Sequence, residues 1–197
     1  MKAIVDTNVV AYLLLGTEQF VDEARSFIAA LREARAPALW EDELGNVLWM
    51  ATRHRVLTIE EATARLALAD RFEIHSVPSR TLWQGALERA HQSGVAVYDT
   101  LFVELAARER LPLATFDSGL IKAFPRIAVR PGKLTRIWLR PTCWMRAECL
   151  NLVTSRSQVN KSATEQRKGS KMTEADHGST WTSQSPANGA IRDLSND

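Results

Sequence analysis

Two rhythms of apolar and polar positions run through the first 130 residues: short solid apolar runs, and longer stretches in which apolar residues return every three or four positions. The runs have the length of buried strands, and the stretches have the period of one helix face. Lys2-Ala3-Ile4-Val5 is the first run. Val9, Val10, Leu13 and Leu14 then form a short helical face, and Val21, Ala24, Phe27, Ile28 and Leu31 form a second. Pro37-Ala38-Leu39-Trp40 is expected to be the next strand. It leads through Glu41-Asp42-Glu43 into a helix with Leu44, Val47, Leu48 and Ala51 on its apolar side and Arg53, His54 and Arg55 at its basic end. Thr58 with Glu61 spells a capping box that opens a helix through Ala69. Phe72 to Val77 alternates like a strand. Ser79 to His91 reads as a helix with Leu82, Trp83, Ala86, Leu87 and Ala90 on its apolar side, stopped by Ser93-Gly94.

The stretch from Val95 to Leu120 carries the most chemistry. Tyr98, Leu101, Phe102, Leu105 and Ala106 recur at helical spacing, which sets Asp99 in the first turn, where a negative charge suits the helix N-terminus. Past Arg108, Arg110 and Pro112, Leu113-Ala114-Thr115-Phe116 is a short strand, and Asp117 stands just beyond its end before a turn at Ser118-Gly119. Leu120 to Phe124 reads as a short helix and Ile127-Ala128-Val129 as a last strand. Strands alternating with helices imply right-handed crossovers, hence an α/β fold with a mostly parallel sheet flanked by helices. This pattern spans residues 1–132, expected to be one domain.

Asp6 ends the first strand as Asp117 ends a later one, while Asp99 and one of Glu41, Asp42 or Glu43 occupy first turns that open toward the same edge. In an open parallel sheet that edge is where ligands bind. Several like charges gathered there require raised pKa values or a bound cation. Hard oxygen donors suit Mg²⁺ or Mn²⁺ better than zinc, and the chemistry to expect is phosphodiester hydrolysis with metal-activated water. Each acid has a plainer reading taken singly: Asp99 as a helix-start charge, Asp117 as a turn residue, Asp6 as a loop acid or helix cap. Their joint placement favours the site. Among the three neighbouring acids, spacing leaves the choice open, with Glu43 preferred because it precedes Leu44 and Asn46.

Composition alters this picture little. The net charge of +2 divides into −2 over residues 1–132 and +4 over residues 133–197, so the basic character belongs to the tail and says little about nucleic-acid binding by the folded part. No apolar run approaches the roughly 20 residues that span a bilayer. A strand signal in place of a signal peptide points to the cytoplasm. Cys143 and Cys149 have no nearby His and read as incidental thiols. An aspartyl-phosphate phosphatase would have a second Asp where Asn8 stands, and no phosphate-cradling Gly-rich loop or GxSxG elbow is present.

Four segments together resemble the PIN-domain ribonucleases of the VapC toxin type: Ile4-Val5-Asp6-Thr7-Asn8; Pro37 to Trp40 with Glu43-Leu44-Gly45-Asn46-Val47-Leu48; Val97-Tyr98-Asp99-Thr100-Leu101 with Leu105-Ala106; and Leu113-Ala114-Thr115-Phe116-Asp117. The resemblance covers essentially residues 1–132. It implies that Asp6, Glu43, Asp99 and Asp117 form a metal site, and it selects Glu43 over its acidic neighbours. It implies as well a PIN-like three-layer fold with about five strands, a homodimer, an RNA substrate, and neutralisation by a VapB-like antitoxin. Within that reading Asp6, Asp99 and Asp117 hold Mg²⁺, with Mn²⁺ as an alternative ion, and Glu43 completes the cluster and orients the attacking water. Thr7, Asn8, Asn46 and Thr115 are candidates to hydrogen-bond the carboxylates, Thr115 having the alternative of a hydroxyl satisfied locally in its strand. Arg53, Arg55 and Arg108 are candidates to guide the RNA backbone, with a solvated surface as the plainer account. The competing function is a non-catalytic PIN-like module that binds RNA or protein; its signature would be a missing acid, and all four are present.

From Lys133 the alternation of elements lapses, and such an extension is foreign to the family pattern. Residues 154–197 are rich in Ser, Thr, Asn, Gln and Lys, a composition that favours disorder, so residues 133–197 are expected to be a partly or wholly disordered tail.

Overall fold

The computed structural model describes residues 1–138, the last two by backbone alone. Its elements follow in the order β1 (Lys2–Val5), α1 (Thr7–Leu15), α2 (Val21–Ala30), β2 (Glu33–Pro37), α3 (Leu39–Arg53), α4 (Ile59–Asp70), β3 (Ile74–Val77), α5 (Trp83–Ser93), α6 (Val97–Glu109), β4 (Leu113–Ala114), α7 (Ser118–Ala123), β5 (Ala128–Val129) and α8 (Pro131–Trp138). A single 3₁₀ turn, Ser79–Thr81, precedes α5. The five strands form one parallel sheet in the order β3-β2-β1-β4-β5. The chain thus steps outward from β1 to β3, returns to pair β4 with the other side of β1, and steps outward again. The reversal between β1 and β4 makes a crevice at the carboxyl ends of those two strands, the place where open α/β sheets take ligands. The expected α/β architecture of about five parallel strands flanked by helices is the one observed.

β1 buries Ala3, Ile4 and Val5 completely, as a central strand covered on both faces must. α6 lies on β1, β2 and β4, and its residues from Thr100 to Ala106 are all buried. Its burial on every side explains why a one-sided apolar stripe understated it. α1 packs against α2, α3 and α4, and α2 carries α8.

The second strand departs from expectation. Pro37 to Trp40 is not a strand: β2 is the segment before it, Glu33–Pro37, and Trp40 lies in the first turn of α3. Pro37 excludes the helical conformation for Ala36 and so extends the chain on its N-terminal side. Ala34 and Ala36 face inward, while Arg35 is held by ion pairs to Glu33 and Glu109. An alanine-and-charge strand of this kind carries no β-propensity signal. Trp40 instead donates its indole N–H to Ser76 on β3, at 2.9 Å.

The apolar side of α5 is also one residue out of register with expectation. Leu82 and Ala86 are buried, but Trp83 and Leu87 are 59% and 61% exposed. α5 meets α6 through small residues. The Thr100 hydroxyl donates to the Ala86 carbonyl at 2.8 Å, and any side chain at Gly85 would run into the Glu104 carboxylate. The bulky residues are therefore turned outward. Gly94, in the left-handed region at φ 72°, ends the helix at the expected place.

α8 begins at Pro131, so the boundary expected after residue 132 falls inside a helix. Leu134 and Thr135 are buried, and the Glu23 carboxylate on α2 accepts from the Gly132 backbone N–H at 2.6 Å and from Arg130. The composition-based expectation for residues 154–197, and both cysteines, lie outside the described residues. Leu134→Ala is expected to destabilise the chain by about 2–4 kcal/mol in chemical denaturation, the range for emptying a buried Leu site. An unchanged midpoint would show that α8 adds nothing to the core.

Candidate active site

Each candidate acid owes its place to a chain end at the crevice. Asp6 leaves β1 and caps α1; its own backbone N–H still donates to Ala114 of β4 at 3.0 Å, so the seam between the two strands continues up to it. Asp117 follows β4 and caps α7, its Oδ1 accepting from the backbone N–H groups of Gly119 and Leu120 at 2.6 and 3.0 Å. Asp99 lies in the first turn of α6, and Glu43 one turn into α3. β1 and β4 point their carboxyl ends, and α1, α3, α6 and α7 their N-termini, at this one edge.

A short polar network ties these ends together. Oδ2 of Asp6 accepts from the Thr115 hydroxyl at 2.5 Å and from the Asn8 amide at 2.7 Å. The same Asn8 amide reaches Thr115 Oγ1 at 3.1 Å, and its oxygen accepts from the Phe116 backbone N–H at 3.1 Å. Thr115 Oγ1 accepts in turn from the Asp117 backbone N–H at 2.9 Å. The Thr115 hydroxyl is therefore committed to the acids rather than satisfied locally. Thr7 donates to Glu43 Oε2 at 2.5 Å, which links α1 to α3 across the crevice. Asn46 is exposed and makes no hydrogen bond to the acids among the described residues.

The electrostatics agree with one shared field. Asp6 is only 8% exposed, and burial pushes its carboxyl up to about 7; the charges of Glu43 and Asp99 add to the rise, and the bonds from Thr115 and Asn8 oppose it. Glu43 is raised by burial and by the charges of Asp99 and Asp42, against the bond from Thr7. Asp99 is raised by burial and by Asp117. No salt bridge reaches any of the four among the described residues. A set of hard oxygens short of positive charge matches a divalent cation in chemistry. In spacing the group is open: no three His, Cys, Asp or Glu side chains among the described residues are drawn together closely enough to hold an ion as they stand. A cation there would be held by few protein oxygens, with water completing its shell.

The arginines expected to guide RNA lie elsewhere. Arg53 and Arg55 stand at the C-terminal end of α3 and Arg108 at that of α6, the ends directed away from the crevice. Arg53 covers the Trp49 ring, and Arg108 donates to Glu104 and to the Thr81 carbonyl. Tyr12 was not singled out by the sequence. Its ring stacks on Phe20 at 4.6 Å and leans on Phe116, and burial with the charges of Asp6 and Asp117 raises its phenol. Its position six residues past Asp6 in the first helix was the available signal.

A parallel sheet with carboxylates converging on its switch point is the layout shared by a family of α/β domains, and the comparison with known families agrees. The PIN domain model matches residues 3–127, and the chain belongs to that family. It is similar to ribonuclease VapC3 of Pyrobaculum aerophilum, 29% identical over 131 residues that span 64% of this chain and 98% of that protein. No helix of the described residues is long and apolar enough to cross a membrane.

The raised carboxyls have a consequence for stability in the absence of divalent metal. An acid whose folded pKa lies above its unfolded value of about 3.9 costs nothing below that pH, and the cost grows until the pH passes the folded value. For Asp6 the window is about pH 4 to 7, and Glu43 and Asp99 act in the same direction. In EDTA the melting temperature should therefore fall as pH rises from 5 to 8. Asp6→Asn should flatten that fall, with its advantage over wild type largest at pH 8. Parallel curves for the two proteins would mean that Asp6 is not a strained carboxylate.

Proposed function

We propose that this chain is a metal-dependent endoribonuclease that hydrolyses RNA phosphodiester bonds, with Asp6, Glu43, Asp99 and Asp117 holding Mg²⁺, or alternatively Mn²⁺. The observation that carries the reading is the group of four carboxylates at the β1/β4 crevice, three of them with pKa values raised by burial and by one another's charges. Membership of the PIN-domain family supports it, as does the ribonuclease activity in the name of the VapC3 relative.

When bound, the cation would lower the pKa of its water and offset charge on the phosphate. The protein's own part is positional. Thr115 and Asn8 fix the Asp6 carboxylate, and the caps on Gly119 and Leu120 fix Asp117. Glu43, oriented by Thr7 and with its carboxyl raised by burial, is suited to take the proton of the attacking water as its oxygen joins phosphorus; the P–O bond to the leaving oxygen breaks, and that oxygen takes a proton from solvent. In this reading the chain is the toxin of a toxin–antitoxin pair. It acts in the cytoplasm as a homodimer and is silenced by a small VapB-like antitoxin. The alternative, a non-catalytic RNA- or protein-binding module, keeps the fold without turnover.

Purified full-length protein should cleave single-stranded RNA with Mg²⁺ and stop on addition of EDTA. Asp99→Asn keeps the side chain's shape but removes its charge, and should lower the rate at least about a hundredfold with no loss of melting temperature, in keeping with charge groups that act on the reacting centre. Undiminished cleavage by that variant would remove Asp99 from the site; absence of cleavage by wild type with Mg²⁺ or Mn²⁺ would favour the binding module. For the toxin role, induced expression should arrest bacterial growth, and a small protein encoded beside it should restore growth. Unimpeded growth with an active nuclease would refute the toxin role alone.

A further inference from the structure

A polyanionic substrate needs cations at the edge where the acids lie. α3 and α6, which start at that edge, carry Arg53, Arg55 and Arg108 at their far ends. Arg130 is different. It directly follows β5, as Asp6 follows β1, and β5 is the strand beside β4, so it emerges on the acid side of the sheet.

The arginine is also arranged in advance. Its guanidinium carbon lies 5.5 Å from the ring centre of Phe116, the residue before Asp117, and 5.7 Å from that of Phe20. Phe20 and Phe116 are themselves 4.7 Å apart, and Tyr12 stacks on Phe20, so an aromatic cluster runs from the crevice to the arginine. Nε donates to both oxygens of Glu23, at 3.0 and 2.9 Å, and Glu23 is anchored by the Gly132 backbone. Among the described residues the guanidinium bonds through Nε alone, leaving both η nitrogens open, and the side chain is 46% exposed. A guanidinium held at Nε, laid across two rings and open at its fork is shaped for bidentate contact with a phosphate.

We propose that Arg130 binds a backbone phosphate of the RNA substrate on the β5 side of the scissile bond. This deepens the ribonuclease reading and rests on it. The test uses full-length wild type, Arg130→Gln and Arg130→Lys on a short single-stranded oligoribonucleotide. It reads kcat and KM across a salt series, with melting temperature alongside. Arg130→Gln should raise KM about tenfold with kcat within about threefold, as expected for loss of one charge-assisted contact to substrate. The slope of log KM against log salt should fall by about 0.7, one phosphate's share on a single strand. Arg130→Lys should keep the slope and lose only part of the affinity, because it keeps the charge without the fork. A folded Arg130→Gln protein with the KM and salt slope of wild type, whatever its melting temperature, would overturn the proposal and leave the ribonuclease reading intact. Should Arg130→Gln fail to fold, Arg130→Lys decides: a KM identical to wild type overturns the proposal. If wild type itself does not cleave, the ribonuclease reading falls, and this proposal falls with it.

Discussion

The Asp6 carboxylate accepts from Thr115 and Asn8 at the seam of β1 and β4, and through that seam the two ends of the domain hold each other. Thr115 lies 109 positions from Asp6, and the Phe116 backbone returns the contact by donating to Asn8. The Thr115–Asp6 bond is short and buried, so the penalty for leaving either partner unmade is that of an unsatisfied polar group rather than of a lost surface contact. They also link three functions of one segment. β1 ends, α1 is capped, and the crevice gains its most buried acid within the three residues Asp6, Thr7 and Asn8. A change at Asn8 would therefore act on the sheet, the helix start and the acid together.

Topology sorts the charges of this protein more firmly than its composition does. α3 and α6 put their first turns at the crevice and carry their last turns away from it, whereas α5 runs antiparallel to α6, starting beside Arg108 and ending beside the first turn of α6. Acids favoured in first turns and bases favoured in last turns then separate by the macrodipole alone. Asp99, Glu41 and Asp42 stand on one side of this division, and Arg53 and Arg108 on the other. Arg130 stands on the acid side by another route, following β5 directly.

This division also explains which parts were legible in the sequence. A residue that ends a strand or opens a helix is fixed by element boundaries, so Asp6, Asp99 and Asp117 could be placed on one edge from pattern alone. Glu43 could not be told from Asp42 by spacing, since both lie in the same early turns of α3; the bond from Thr7 distinguishes it, and that bond joins residues 36 positions apart. β2 was misplaced because Ala34, Arg35 and Ala36 owe their strand to neighbours on both sides, not to their own propensity. Trp83 and Leu87 were expected inside because apolar period shows that a face exists, whereas the small residues at Gly85 and Ala86 decide which face α6 accepts. Arg53 and Arg108 stand apart from Glu43 and Asp99 for a simpler reason: each is at the far end of the helix that carries the acid.

Glu104 supplies the contrast that gives the acids their meaning. It is as buried as Asp6, at 6% exposure, and burial pushes its carboxyl up, yet Arg89 at 2.6 Å and Arg108 at 2.5 Å outweigh that effect and hold it below its ordinary value. The fold is thus able to neutralise a buried carboxylate, and on the far part of α6 it does so twice over. Asp99, on the same helix and five residues earlier, has no arginine among the described residues and a raised pKa. One helix therefore carries both solutions: a charge closed off by its own partners, and a charge left to be matched from outside. A structural acid would be stabilised by the first arrangement. Under the proposed function the second arrangement is the one a cation and a phosphate need, because arginines already paired there would occupy the space and cancel the field that the ligand would meet.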